Sequence, residues 1–235
     1  MNPVYIPAAS FEAWRAFTAQ PDKHWVPGRS AMSIAEAWHN ADGFPVPVDA
    51  VFQAAGQPFS SMKPLLVIPE HKVPLPGGRR DSQNDVWVLA RHATGLASIT
   101  VEGKVSESFG PTLADWSANM SPGKRTRLEF LLRTLGLASE PSGVIRYQLL
   151  HRAASALIEA ERFCADTAIM LVHSFSRGDI GLEDYRAFAD LFGVASQPDQ
   201  LVRLSQPSNI PLYVAWIRHP ANSASLQGGT HESGS

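Results

Sequence analysis

The apolar positions of this 235-residue chain switch between two periods, and the switches mark its elements. Residues 30–40 (SAMSIAEAWHN) put Ile34, Ala35 and Trp38 on one stripe at helical spacing, and Gly43 and Pro45 stop the run, which predicts a helix. Residues 10–19 predict another, with Ser10 as N-cap and Pro21 as stop, and 47–54 predict a short one. The run 63–70 (KPLLVIPE) has strand length and composition, whereas KVPLPGGRRDSQ after it reads as loop because of its prolines and glycines. Residues 85–91 and 96–105, separated by 92–95, predict a β-hairpin. Helices follow at 115–118 and 121–135, the second with Ser121 as N-cap, Pro122 at its first position and Gly136 as its stop. Residues 144–163 predict a long amphipathic helix with Leu149, Leu150, Ala153, Leu157 and Ile158 on its apolar side and Gln148, Arg152, Ser155 and Glu159 on a polar stripe. A buried strand at 167–175, a helix at 182–192 and a strand at 210–218 complete the pattern.

The 44% hydrophobic content supports one sizeable core. The expected organisation is an accessory helix and arm over 1–29, a single α/β domain over 30–220, and a flexible Ser/Gly-rich tail over 221–235. No apolar run approaches the ~18 residues of a membrane span, and the first residues lack the basic and apolar regions of a signal peptide. The expectation is a cytoplasmic protein with no membrane partner. The single cysteine, Cys164, sits among Phe163, Ala165 and Ala168 and reads as a small buried thiol. Formal net charge is −2 overall, but residues 71–133 carry +3 and the remainder −5, a distribution compatible with a local phosphate-binding face.

Chemistry concentrates in the hairpin. Side chains alternate along a strand, so Glu102 and Lys104 project to one face while Gly103 points to the other. Asp85, at the start of the preceding strand, is brought beside Glu102 by the antiparallel pairing. Two carboxylates without a Cys/His cluster suit a hard cation such as Mg²⁺, with Mn²⁺ as a second option, and a neighbouring lysine can orient water and stabilise developing charge. A second acid-x-Lys triplet, Glu70-His71-Lys72, lies at a strand end beside Pro69.

Asp85, the same-strand pair Glu102 and Lys104, and the order helix, three strands, helix, strand together resemble the PD-(D/E)xK, or restriction-endonuclease-like, nuclease superfamily over roughly residues 30–175. Asn84 stands where that family often has proline. The resemblance implies a restriction-endonuclease-like core with a central mixed sheet flanked by helices, and a metal-dependent nuclease that hydrolyses phosphodiester bonds in DNA, or in RNA. It implies Asp85 and Glu102 as metal ligands, joined by the Gly103 carbonyl and by a further acid from Glu70 or Glu36, with Lys104 as the catalytic cation. It also implies Gln148 and Arg152 beside the site as nucleic-acid contacts, and a homodimer where both strands of a duplex are cut.

Arg79 and Arg80, in the Pro/Gly loop, and Lys124, Arg125 and Arg127, in the first turns of a helix, are the candidates for nucleic-acid contact. A solvated surface explains these cations equally well, as it explains the polar stripe of the long helix. His151 and His173 read as packing residues. Two other classes compete with a nuclease: a catalytically inactive nuclease-fold module that binds nucleic acid or protein, and a structural α/β protein whose acids and lysine make surface ion pairs.

Overall fold

The apolar runs pair as their alternation demands. In the computed structural model, which describes residues 10–206 and 208–220, a 3-10 turn at Phe11–Phe17 leads into α1 (Pro21–His24), α2 (Ser30–His39) and α3 (Val46–Ala55). Three strands follow, β1 (Lys63–Val73), β2 (Ser82–His92) and β3 (Gly95–Lys104). Next come α4 (Leu113–Ser117), α5 (Pro122–Leu135), α6 (Tyr147–Arg162), β4 (Thr167–Ser174), α7 (Leu182–Asp190), β5 (Val202–Arg203) and β6 (Leu212–Arg218). The strands form one open mixed sheet in the order β1-β2-β3-β4-β6-β5. β1, β2 and β3 are an antiparallel meander, β3-β4 and β4-β6 are parallel, and β5 returns antiparallel to β6.

Each sheet face carries its own apolar layer. On one, Leu149, Leu150 and Ala153 of α6 pack with Leu131 of α5, Tyr185 of α7, and Met170, Val172 and Trp216 of the sheet. On the other, Ile34 and Trp38 of α2 and Val51 and Phe52 of α3 cover Ile99, Val101, Ile169 and Leu171. Every residue of β4 is buried, which is why its sequence is apolar without alternation. Trp14 is 2% exposed within the α2/α3 layer, so this part of the N-terminal segment packs onto the domain. The segment 221–235, expected to be a tail, lies outside the described residues. No helix among the described residues is long and apolar enough to cross a membrane.

Several boundaries differ from the sequence expectation for identifiable reasons. The long helix begins at Tyr147 rather than 144, because Arg146 is extended (φ −75, ψ 121) and bridges Thr112, while the Leu113 N–H donates to the Ile145 carbonyl at 2.7 Å. The β1–β2 loop is shorter than KVPLPGGRRDSQ, since Val73 still pairs with Ser82 and Lys72 with Gln83. Within it Gly77 is obligatory: its φ is +76, and a Cβ there would lie 2.0 Å from the Gly123 carbonyl oxygen. Cys164 is exposed, not buried, because α6 has ended and the cysteine occupies a left-handed turn (φ 53).

Candidate active site

The register of the meander aligns three acids across three strands. Pro69 pairs with Val86 and His71 with Asn84, which sets Glu70 opposite Asp85; Val86 pairs with Val101, which sets Asp85 opposite Glu102. The β2–β3 ladder stops at that point, and the Asp85 side chain takes over, its Oδ2 accepting from the Gly103 N–H at 2.7 Å. Gly103 allows this approach: a Cβ there would meet Ile34 Cδ1 at 3.1 Å and Asp85 Oδ2 at 3.3 Å. Glu70 sits in the left-handed region (φ 52), a conformation that costs a non-glycine residue about 1 kcal/mol or more.

Glu102 and Lys104 share a face, as strand alternation requires, and each is 4% exposed. Lys104 Nζ donates to Glu102 Oε1 at 2.8 Å and to Gln148 Oε1 at 3.2 Å, and lies 4.7 Å from the centre of the Phe109 ring. Gln148 Nε2 donates to Glu102 Oε1 at 2.7 Å. Arg152 Nε donates to Glu102 Oε2 at 2.6 Å, while its Nη1 reaches Ser82 Oγ at 3.1 Å and His151 Nδ1 at 3.3 Å. The polar stripe of α6 therefore faces the site rather than solvent. Gln148 and Arg152, named as nucleic-acid contacts, are committed to the carboxylate cluster because Glu102 is buried and must be paired.

The electrostatics divide the three acids. Burial alone would raise the Glu102 carboxyl, but Arg152 and Lys104 outweigh it and hold the group at about 2. Glu70 is pushed up to about 7, by burial first and by the charge of Glu102, against a 2.5 Å hydrogen bond from Gln83 Nε2. Asp85 is raised well above the usual carboxylate range by burial and by the charges of Glu102 and Glu70. His151 is pushed well below its ordinary value by burial and by Arg152. Three acids thus face Arg152 and Lys104, with Lys72 also acting on Glu70, and the cations outweigh burial at Glu102 but not at Glu70 or Asp85.

These side chains line a cavity of about 490 Å³. Among the described residues, no group of three or more His, Cys, Asp or Glu side chains is arranged to hold a metal ion as it stands. Both oxygens of Glu102 are taken by cations and an amide. Asp85 Oδ1 and Glu70 Oε1, by contrast, have no hydrogen-bond partner among the described residues. The donor set is carboxylate oxygen, which fits a hard divalent cation in chemistry.

The remaining sequence candidates divide by location. Glu36 is exposed on α2 and lines a different cavity, so it does not join the acids. Lys124 Nζ donates to the Trp116 carbonyl at 2.6 Å, and Arg127 to the carbonyls of Pro76 and Leu75 at 2.8 and 3.1 Å, so both tie α5 to its neighbours instead of standing free. Arg79, Arg80 and Arg125 are exposed. The Arg79–Arg80 loop runs into Asp81, which lines the cavity.

Sequence reasoning missed Glu107, which lines the cavity and accepts from the backbone N–H groups of Ser30, Val105 and Ser106 at 3.0, 3.0 and 3.1 Å. Burial acts to raise it, yet these N–H groups hold it below the usual carboxylate range. Its role as the cap of α2 leaves no local signature, since Ser30 is 77 positions away. Tyr147, stacked on Trp116 at 4.1 Å between ring centres, was missed for the same reason.

Residues 7–221 match the profile of a family described as a domain of unknown function, DUF6946, and the chain belongs to that family. No curated protein and no solved structure matches the chain.

Proposed function

We propose that this chain is a metal-dependent phosphodiesterase acting on nucleic acid, DNA in the first instance, with a restriction-endonuclease-like core. The observation that carries the reading is the alignment of Glu70, Asp85 and Glu102 across β1, β2 and β3, beside the buried Lys104, in one cavity. The element order from α2 through β4 and the spacing of Asp85, Glu102 and Lys104 support it through the resemblance to PD-(D/E)xK nucleases.

Asp85 and Glu70, with their open oxygens, are the residues that would hold Mg²⁺ or Mn²⁺, with Glu102 as the third acid. When bound, such an ion supplies positive charge beside a phosphoryl group and a more acidic water. The chain's own groups do the rest. Arg152 and Gln148 fix the Glu102 carboxylate, so that it stays ionised in a buried place. Lys104, held by Glu102 and Gln148, adds a fixed positive charge where negative charge grows on a phosphoryl oxygen. Glu70, pushed up to about 7, is the group able to exchange a proton with water near neutral pH, and Asp85 beside it is raised by burial and by the charges of Glu102 and Glu70.

The test is cleavage of supercoiled and linear DNA with Mg²⁺ or Mn²⁺, beside Asp85→Asn and Lys104→Ala. The expected loss is about a hundredfold or more for each, with circular dichroism showing both variants folded. Cleavage untouched by either substitution overturns the assignment. A second reading is favoured by the ion pairing of both Glu102 oxygens: a nuclease-fold module that binds nucleic acid without cutting it. Salt-sensitive binding with no cleavage under any divalent ion selects that reading.

A further inference from the structure

A second cavity, of about 890 Å³, opens on the other side of α2, at the carboxyl ends of β4 and β6. Ser30 and Ala31 of the helix face the acid cluster, whereas Ser33, Glu36 and Ala37 face this second space. Behind its wall lies a chain of three polar rings. Trp38, 1% exposed, donates its indole N–H to His173 Nδ1 at 3.2 Å, and His173, fully buried, has its Nε2 3.1 Å from His219 Nδ1.

The direction of that chain is fixed by elementary accounting. Indole N–H can only donate, so His173 Nδ1 accepts and carries no proton. Burial, and then the neighbouring His219, hold His173 down at about 3, so its ring is neutral, and its one proton must sit on Nε2. That N–H donates to His219 Nδ1, which therefore accepts. His219 is itself lowered by burial, Glu36 acting the other way, and as a neutral ring it must carry its proton on Nε2. With Nδ1 engaged by the buried His173, the Nε2–H of His219 is the donor that the chain of rings leaves unspent, on a residue that lines the cavity. Phe175 packs against both imidazoles, its ring centre 4.5 Å from that of His173 and 4.7 Å from that of His219.

Two further donors share this cavity. Ser176 Oγ accepts from the N–H groups of Gly178 and Ile180 at 3.3 and 3.2 Å, which leaves its hydroxyl hydrogen to be given away. Arg177 is exposed and makes no ion pair among the described residues, whereas Arg218 is neutralised by Asp179. We propose that this second cavity is a binding site for a tetrahedral oxyanion, a phosphate group borne by a small molecule or a chain end, gripped by His219 Nε2–H, Ser176 Oγ–H and the Arg177 guanidinium. Three donors lining one cavity match a group with three free oxygens in number, where a carboxylate offers two. The space beyond leaves room for the organic part, with Glu36 as an acceptor for its hydroxyl or amino groups. This site does not depend on any reading of the acid cluster.

The experiment is a titration of the ¹⁵N-labelled full chain with inorganic phosphate, read by long-range ¹H–¹⁵N spectra of the imidazoles. His173 and His219 are expected as Nε2–H tautomers, and phosphate shifts the His219 signals at constant ionic strength. Arg177→Ala, an exposed substitution that leaves the core intact, weakens the response about tenfold or more. Asp85→Asn leaves it unchanged, which separates this site from the acid cluster. The proposal is overturned if His219 carries its proton on Nδ1, if phosphate leaves its signals in place, if matched chloride shifts them equally, or if Arg177→Ala responds as the parent does.

Discussion

Two buried polar clusters flank α2, and they solve the problem of burial in opposite ways. On the α6 side of the sheet, Glu102, Lys104 and Arg152 are all under 10% exposed and remain charged, each held by an opposite charge. On the α2 side, Trp38, His173 and His219 are joined by hydrogen bonds between neutral rings. A charge taken out of water needs its partners in place, so the first cluster is electrostatically tight and intolerant of losing any one member. A neutral imidazole needs only that its single proton be on the right nitrogen, so the second cluster stores direction rather than charge. Glu70 and Asp85 sit at the margin of the first solution: carboxylates at which burial outweighs the cations that act on them.

The comparison can be broken most sharply at Arg152. Arg152→Ala strips Glu102 Oε2 of its partner and should cost about 3–5 kcal/mol in urea unfolding. A loss below 1 kcal/mol would mean that the charged cluster is not held as a unit. Next comes Trp38→Phe, which leaves His173 Nδ1 buried without its donor. We expect a loss of about 1–3 kcal/mol, together with a mixture of tautomers at His173 in the imidazole spectrum; an unchanged spectrum would show that the indole does not set the direction.

The pH dependence of the metal-free protein is a smaller effect with a definite sign. Glu70 is raised from 4.5 to about 7 in the folded state. Its contribution to stability is therefore fully present below pH 4.5 and is lost as pH rises through 7. Glu70→Gln, measured in chelator, should flatten this decline and be more stable than the parent at pH 8 by about 1 kcal/mol, allowing for the partial solvent exposure of the side chain. A parent protein whose urea midpoint rises between pH 5 and pH 8 through this residue would contradict the assignment. Last, Arg79→Ala and Arg80→Ala, on an exposed loop, should change stability by less than about 0.5 kcal/mol while weakening DNA binding and reducing its salt dependence. If neither substitution affects binding, that loop does not touch the nucleic acid.

The pairing of Glu102 with Lys104 was legible because strand alternation is a local rule: positions two apart share a face whatever surrounds them. Asp85 followed from the hairpin alone, since the turn at 92–95 sets the register with 96–104. Glu70 was visible as one of two candidates, but the choice between it and Glu36 was not. Glu36 lies on a helix whose rotation about its axis is set by Ile34 and Trp38 packing on the sheet, and that rotation turns it to the second cavity. The polar stripe on α6 was legible as a stripe, yet its polarity alone does not tell solvent from a buried carboxylate.

By itself, then, the sequence determined most of the elements, their α/β order, the hairpin that carries Asp85 and Glu102, and the same-face lysine, because these rest on period, turn chemistry and near neighbours. The short α1 and β5 and the joining of β1 to the hairpin came from the structure. Only the tertiary structure decided that Arg152 and Gln148 close over Glu102, that Glu107 caps α2, that Cys164 is exposed, and that Trp38, His173 and His219 line up across 181 positions of chain. Those partners meet through packing between layers, and their separation along the chain leaves no local pattern from which the meeting can be read.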